Sequence, residues 1–424
     1  NYHLTEGLMK NYRLVILCGA ALLLCLAAPA MCAVTPLWVE TGSRSGELSG
    51  VVISADGSTI IIGGDQLISL SPDGRKHWSV WSGTNLAVSS DGDYILASTG
   101  QVVRLISSTG TLIWEKPLDT TVTDVSMAPD ASIIAATGGG KVRIMDFKGE
   151  SIASNTTMSI NHLKVMPSGD KILITTNRDV QLSGLALLPE WSDTNSTQDL
   201  VAVAPDGSSF VTATDNHVRM YDGSGNLAWD KKFLGGKALA LAYSRDGSTI
   251  VIGRDDNILQ VLHHNGMPLF TGNASNWITS VAVSDDGNTI AAGSMDKKLY
   301  IYDHAGTILG TFPLKSAIKF NSVAVTRDGS LIVVVDESAA YGLTRSSFMP
   351  GETTRETITG AVTETTYETT KTPLPASTTR KVTSRIPAVP TPYPTSAETP
   401  EAALSPAVPL IVLGLLVLCR AGRK

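Results

Sequence analysis

Cysteine is almost missing from this chain: four in 424 residues, at Cys18, Cys25, Cys32 and Cys419, none of them between residues 33 and 418. No disulfide framework can hold the middle of the molecule, and no thiolate metal site can form there. Charge is sparse as well, at 17% Asp, Glu, Lys and Arg. Between residues 34 and 349, 23 basic side chains stand against 32 acidic ones. That balance argues against nucleic acid as a partner, because nucleic-acid affinity rests on phosphate neutralisation by Lys and Arg. Three catalytic signatures are also missing: the Gly-rich loop ending in Lys-Ser/Thr, the His-Glu-x-x-His zinc pair and the Gly-x-Ser-x-Gly nucleophile turn. No nucleophile can be named with its base, so no catalytic residue is assigned.

What the chain does have is a repeat. A turn dipeptide recurs at Asp56-Gly57, Asp91-Gly92, Asp130-Ala131, Ser168-Gly169, Asp206-Gly207, Asp246-Gly247, Asp286-Gly287 and Asp328-Gly329, at spacings of 35 to 42 residues. Apolar, β-branched runs flank each one. A second turn follows at Asp73-Gly74, Thr109-Gly110, Lys148-Gly149, Ser224-Gly225, Asn265-Gly266 and Ala305-Gly306. Glycine and its Asp or Asn neighbours suit two-residue hairpins. Four short strands per unit of about forty residues is the pattern of an all-β propeller, one blade per repeat. One blade cannot bury its own faces, so the whole ring must form to make a core. The expected ring has eight blades. A seven-bladed ring follows if the fourth repeat, which lacks its second-turn glycine, is not a proper blade.

Closure is legible too. The last repeat stops without its outermost strand, while Pro36-Leu37-Trp38-Val39-Glu40 looks like Leu112-Ile113-Trp114-Glu115 and Leu227-Ala228-Trp229-Asp230. The N-terminal strand is therefore expected to complete the last blade, leaving no unpaired seam.

The two ends differ from the middle. Residues 1–33 read as a secretory signal with a few preceding residues: Met9, Lys10 and Arg13, an apolar stretch, then Ala28-Pro29-Ala30. An uncleaved membrane anchor is the alternative. Residues 34–349 form the propeller. Residues 350–401 form a stalk, since 16 Thr and 7 Pro among residues 351–400 cannot build a core. Residues 402–419 are apolar and abut Arg420, Arg423 and Lys424, so a single membrane pass with residues 420–424 as a cytoplasmic basic tail is expected. A cleaved sorting signal competes with that reading. Either way the propeller is held at the cell surface.

Simpler roles account for most of the polar clusters. The recurrent Asp of the first turn caps its own hairpin. Asp255-Asp256 and Asp285-Asp286 are rich in carboxylate but lack the alternating ligand spacing of a calcium loop. His263, His264 and His304 fall in matching turns of neighbouring blades and could hold a transition metal only if their rings converge. His77, His162 and His217 are scattered without partners in the sequence, and Gly138-Gly139-Gly140 reads as a hairpin turn. No metal and no cofactor is assigned. The repeated tryptophans, Trp78, Trp114 and Trp229 with Phe270 in the same slot and Trp191 in the weak fourth repeat, read as wedges between blades. Three glycosylation sequons, at Asn155, Asn195 and Asn273, fall where an outer strand gives way to the crossing into the next blade.

The stretch from Val281 to Asp303 resembles a WD-repeat blade. The Gly-x-x-x-Trp spacing at Gly74/Trp78, Gly110/Trp114 and Gly225/Trp229 looks more like the repeats of quinoprotein (pyrroloquinoline quinone) propellers. The stalk and short anchor resemble the ends of archaeal cell-surface proteins. Quinoprotein resemblance implies a cofactor held between a tryptophan and a disulfide of adjacent cysteines, with a calcium ion. This chain departs there, having no cysteine in the domain. The expectation is a non-enzymatic interaction or scaffold module for protein or glycan partners. The alternative is a quinone-dependent extracellular dehydrogenase.

Overall fold

The computed structural model describes residues 34–42, 47–156, 160–194, 200–214, 216–232 and 235–349. The chain divides into two units after Arg355, and every described residue belongs to the first. The leader, stalk, anchor and basic tail expected at residues 1–33, 350–401, 402–419 and 420–424 lie outside the described residues, as does Asn195. Among the described residues no helix is long and apolar enough to cross a membrane.

Thirty-two strands form eight antiparallel sheets of four among those residues. Seven sheets take four consecutive strands. The eighth has the order Trp38–Thr41, Ala339–Thr344, Leu331–Val335, Val323–Val325, so the first strand of the chain is the outer strand of the last blade. Trp38 pairs with Gly342 and Thr41 with Ala339. This is the eight-bladed propeller with the N-terminal clasp. The fourth repeat is a complete blade, Ile160–Val165, Lys171–Thr176, Val180–Gly184 and Pro189–Asp193.

Burial follows position in the blade. Second strands lie between neighbouring blades and are apolar on both faces. Ile60–Gly64, Thr249–Arg254, Ile290–Ser294 and Leu331–Val335 are buried at every residue. Outer strands alternate; in Leu112–Pro117 only Trp114 is buried. Each of the eight interfaces between neighbouring blades holds its own apolar cluster. The seam is no exception: Ile60, Ile62 and Leu70 of blade 1 pack on Leu331, Val333 and Ala340 of blade 8.

The tryptophans wedge these interfaces in one repeated way. Four of them donate the indole N–H to a carbonyl in the next blade: Trp38 to Pro72 (2.9 Å), Trp78 to Ser108 (2.7 Å), Trp114 to Phe147 (2.8 Å) and Trp229 to His264 (2.7 Å). Two residues after that carbonyl stands a glycine, seated on the ring. A Cβ on Gly110 would lie 2.9 Å from Trp78 and one on Gly225 2.4 Å from Trp191, and both glycines have positive φ. Glycine is required there twice over, by backbone conformation and by space.

Two interfaces break the rule in compensating ways. Blade 3 has Ala153 where six other blades have an aromatic, and blade 4 answers with Leu187 in place of the glycine, buried in the same cluster despite its φ of +57°. Blade 7 has Gly310 in the aromatic slot. Phe348, from the short 3-10 turn Arg345–Phe348 that ends the propeller, fills it from outside, 2.9 Å from where a Cβ on Gly310 would stand.

Candidate functional site

Because strands alternate in direction, the turns after the first and third strands of every blade, which are the two sets of turns read in the sequence, emerge on one face of the disc. The turns after the second strands and the crossings between blades emerge on the other. A channel of about 550 Å³ runs between them, lined by the inner strands of all eight blades.

Inner strands have no partner on the channel side, so their backbone donors need side chains. Polar residues of one blade supply them to the next. Asp124 Oδ2 accepts the Leu163 N–H at 3.1 Å and lies 3.3 Å from His162 Nδ1. Ser126 accepts the Val165 N–H at 3.0 Å, and Ser280 accepts those of Ser322 and Val323 at 3.1 Å. Thr279 donates to the Ile318 carbonyl at 2.6 Å. Burial works against the Asp124 charge, but Lys164, His162 and the Leu163 N–H hold its carboxyl below the usual range. His162 thus has a partner 38 residues away, and His217 has Asp230 at 2.7 Å, which corrects the expectation that both stand alone. The His162–Asp124 pair carried no sequence signal, since contacts across blades have no local spacing, whereas His217 and Asp230 meet on adjacent strands of one blade.

The channel opens on the crossing face beside an apolar patch. Phe320 (54% exposed) lines the mouth, with Trp277 (47%) in the neighbouring crossing and Met295 (39%) in the turn after the second strand of blade 7. Backbone bonds tie the three segments: the Met295 N–H donates to the Trp277 carbonyl at 2.9 Å, and the Ile318 N–H to that of Ser294 at 3.4 Å. Sequence reasoning missed all three residues. Nothing in their local pattern distinguishes them from core residues.

Carboxylates fasten the crossings around this patch. Asp255 takes the Lys237 N–H at 2.6 Å and Asp256 that of Gly236 at 3.0 Å. Asp296 takes that of Ser275 at 2.9 Å, and Asp336 that of Lys315 at 3.1 Å. The Asp255-Asp256 pair is therefore a bracket for its own crossing loop. Asp285 faces Arg327 (3.6 Å) and Arg245 (3.9 Å), while burial pushes its carboxyl upward.

The opposite face is acidic. At Asp56, Asp91, Asp246, Asp286 and Asp328 a hydroxyl two residues earlier donates to the carboxylate, and a backbone N–H two residues later does the same. At Asp91 and Asp328 the hydroxyls of Ser89 and Thr326 lead in holding the carboxyl down. At Asp56, Asp246 and Asp286 burial opposes the charge and the donors outweigh it. The rings of His263 and His264 lie 4.2 Å apart on this side. Among the described residues no three metal-ligand side chains converge. Asn155 and Asn273 are exposed, and they are the fifth and last residues of their outer strands, a little earlier than expected.

A family model for the WD domain, G-beta repeat, matches residues 266–303. That window begins at the turn before the outer strand of blade 6 and ends after the third strand of blade 7. The sequence repeat is thus offset from the blade by one strand, the offset the clasp also embodies. The chain is a β-propeller in which residues 266–303 are similar to a WD repeat. Its fold is similar to the crystal structure of the Myceliophteria thermophila Cps50 (Swd1) β-propeller domain, with a TM-score of 0.51 at 12% identity, over 62% of this chain and 96% of that one. No curated protein sequence matches the chain.

Proposed function

We propose that this propeller is a non-catalytic interaction module, displayed at the cell surface on its C-terminal tether, that takes a protein partner on the crossing face. The patch of Trp277, Met295 and Phe320 at the channel mouth carries the reading. Exposed aromatic and Met side chains beside a concave mouth are what recognition surfaces present, and the backbone bonds that tie their three segments together separate them from single exposed residues. The other large exposed apolar side chains, such as Leu37, Ile113 and Ile308, are spread singly around the rim.

The exit point of the chain supports the orientation. The last strand ends at Thr344, the Arg345 N–H donates to Ser330 in a first turn at 2.9 Å, and Phe348 sits near the start of the outer strand of blade 7. The described chain therefore leaves at the acidic turn face. The crossing face is thus clear of the point where the described chain ends. Surface display itself is tested on intact cells that make the chain, with a membrane-impermeant amine reagent. Propeller lysines such as Lys297 and Lys315 are expected to be modified without lysis. Modification only after lysis would overturn the placement.

A further inference from the structure

Every blade of a propeller ends in an open outer strand, with a row of unpaired backbone groups that invites another chain to pair. Seven of the eight outer strands carry a recognisable guard. Lys76–Val80, Leu112–Pro117, Pro189–Asp193, Leu227–Lys232 and Trp38–Thr41 contain charged residues. Pro268–Asn273 opens on a proline and contains Gly272. Ile308–Pro313 ends on a proline and has Phe348 packed over Gly310.

The outer strand of blade 3, Ser151–Thr156, has no charge, no proline and no glycine. Five of its six residues are exposed, among them Ile152 at 45%. It pairs with Lys141–Asp146 on one side only. What it does carry is a sequon, Asn155-Thr156-Thr157, with Asn155 exposed and in register with Val142.

We propose that Asn155 bears an N-linked glycan and that this glycan guards the open edge of blade 3. The inference rests on the reading that the chain is exported. In the transfer, Asn155 Nδ2 bonds to the anomeric carbon of a lipid-phosphate-linked oligosaccharide supplied by the export route. The carbon–oxygen bond to phosphate breaks, the phosphate oxygen keeps the electron pair, and the amide gives up one proton. An incoming strand must approach to about 4.8 Å along this edge, and a branched sugar fixed one residue from the strand's end prevents that approach. Asn273 has the same exposure, but its strand already holds other guards.

The test uses the full chain behind a heterologous leader in a secretory host that glycosylates asparagine, so that it does not depend on residues 1–33. Glycopeptide mass spectrometry reads occupancy, and sedimentation velocity in detergent reads self-association. Asn155 is expected to be modified. Asn155→Gln and Thr157→Ala, each of which removes the sequon, are expected to self-associate with a Kd about tenfold lower or more. Adding Ser154→Glu, a charge opposite Arg143, to Asn155→Gln is expected to restore the original behaviour without sugar. An unmodified Asn155, or sequon variants that associate no more than the parent, would overturn the proposal. Failure of the surface reading is seen separately, as retention inside the cell of the chain carrying its own first residues.

Discussion

At the residue scale two devices recur, an indole that reaches the next blade and a carboxylate that closes its own turn. Trp114 is 9% exposed and bonded to Phe147 across the interface. Trp114→Ala is expected to lose about 3–5 kcal/mol in urea unfolding, the range for a buried aromatic. The turn carboxylates predict a pH dependence. Asp56, Asp91, Asp246, Asp286 and Asp328 are all held below their ordinary values when folded. A depressed folded value gives stability that is full above the unfolded pKa and is lost as pH falls through the folded one. The midpoint of unfolding is therefore expected to stay flat near neutrality and to fall below about pH 4. Replacing Asp91 and Asp328 with Asn would flatten that acid limb. The Gly-x-x-x-Trp spacing was legible as a wedge, and the Asp-Gly dipeptides as hairpins, because each is a local pattern. The donors of the channel wall were not, since Asp124 meets His162 and Leu163 only once the ring has closed.

At the element scale the informative places are those where the repeat breaks. A missing glycine made the fourth repeat look doubtful, and the sequence alone left seven blades open. Its reason lies in the preceding blade, where Ala153 leaves the space that Leu187 takes. Ala153→Trp alone is expected to destabilise, because the indole and Leu187 compete for one site. Leu187→Gly alone opens a cavity. The double variant restores the pairing seen at the other interfaces, so a thermodynamic cycle should give a favourable coupling of about 0.5–3 kcal/mol. Additive losses would show that the two positions do not share the slot. Gly310 and Phe348 repeat this exchange across the end of the domain, which no repeat alignment could reveal, because Phe348 lies after the last repeat.

At the scale of the whole molecule, closure and display decide what the ring can do. Trp38–Thr41 closes blade 8, the Trp38 ring lies between Gly342 and Gly74, and Glu40 pairs with Lys76 of blade 1. Deleting residues 35–41 is expected to lower the melting temperature by about 5 °C or more; an unchanged value would contradict the clasp. The eight-bladed ring and its seam were legible in the spacing of turns and in one misplaced outer strand. The face used for recognition was not, because residues become neighbours at the channel mouth only when crossings from distant repeats converge.

The most direct measurement places a photo-crosslinking residue at Phe320 and, as control, at exposed Leu227 near the turn face, in the full chain on cells that make it. A saturable adduct at Phe320, competed by added propeller but not by one carrying Phe320→Ala and Trp277→Ala, with none at Leu227, is the predicted result. Equal adducts at both positions, or none at Phe320 while the chain is on the surface, would contradict recognition through the crossing face.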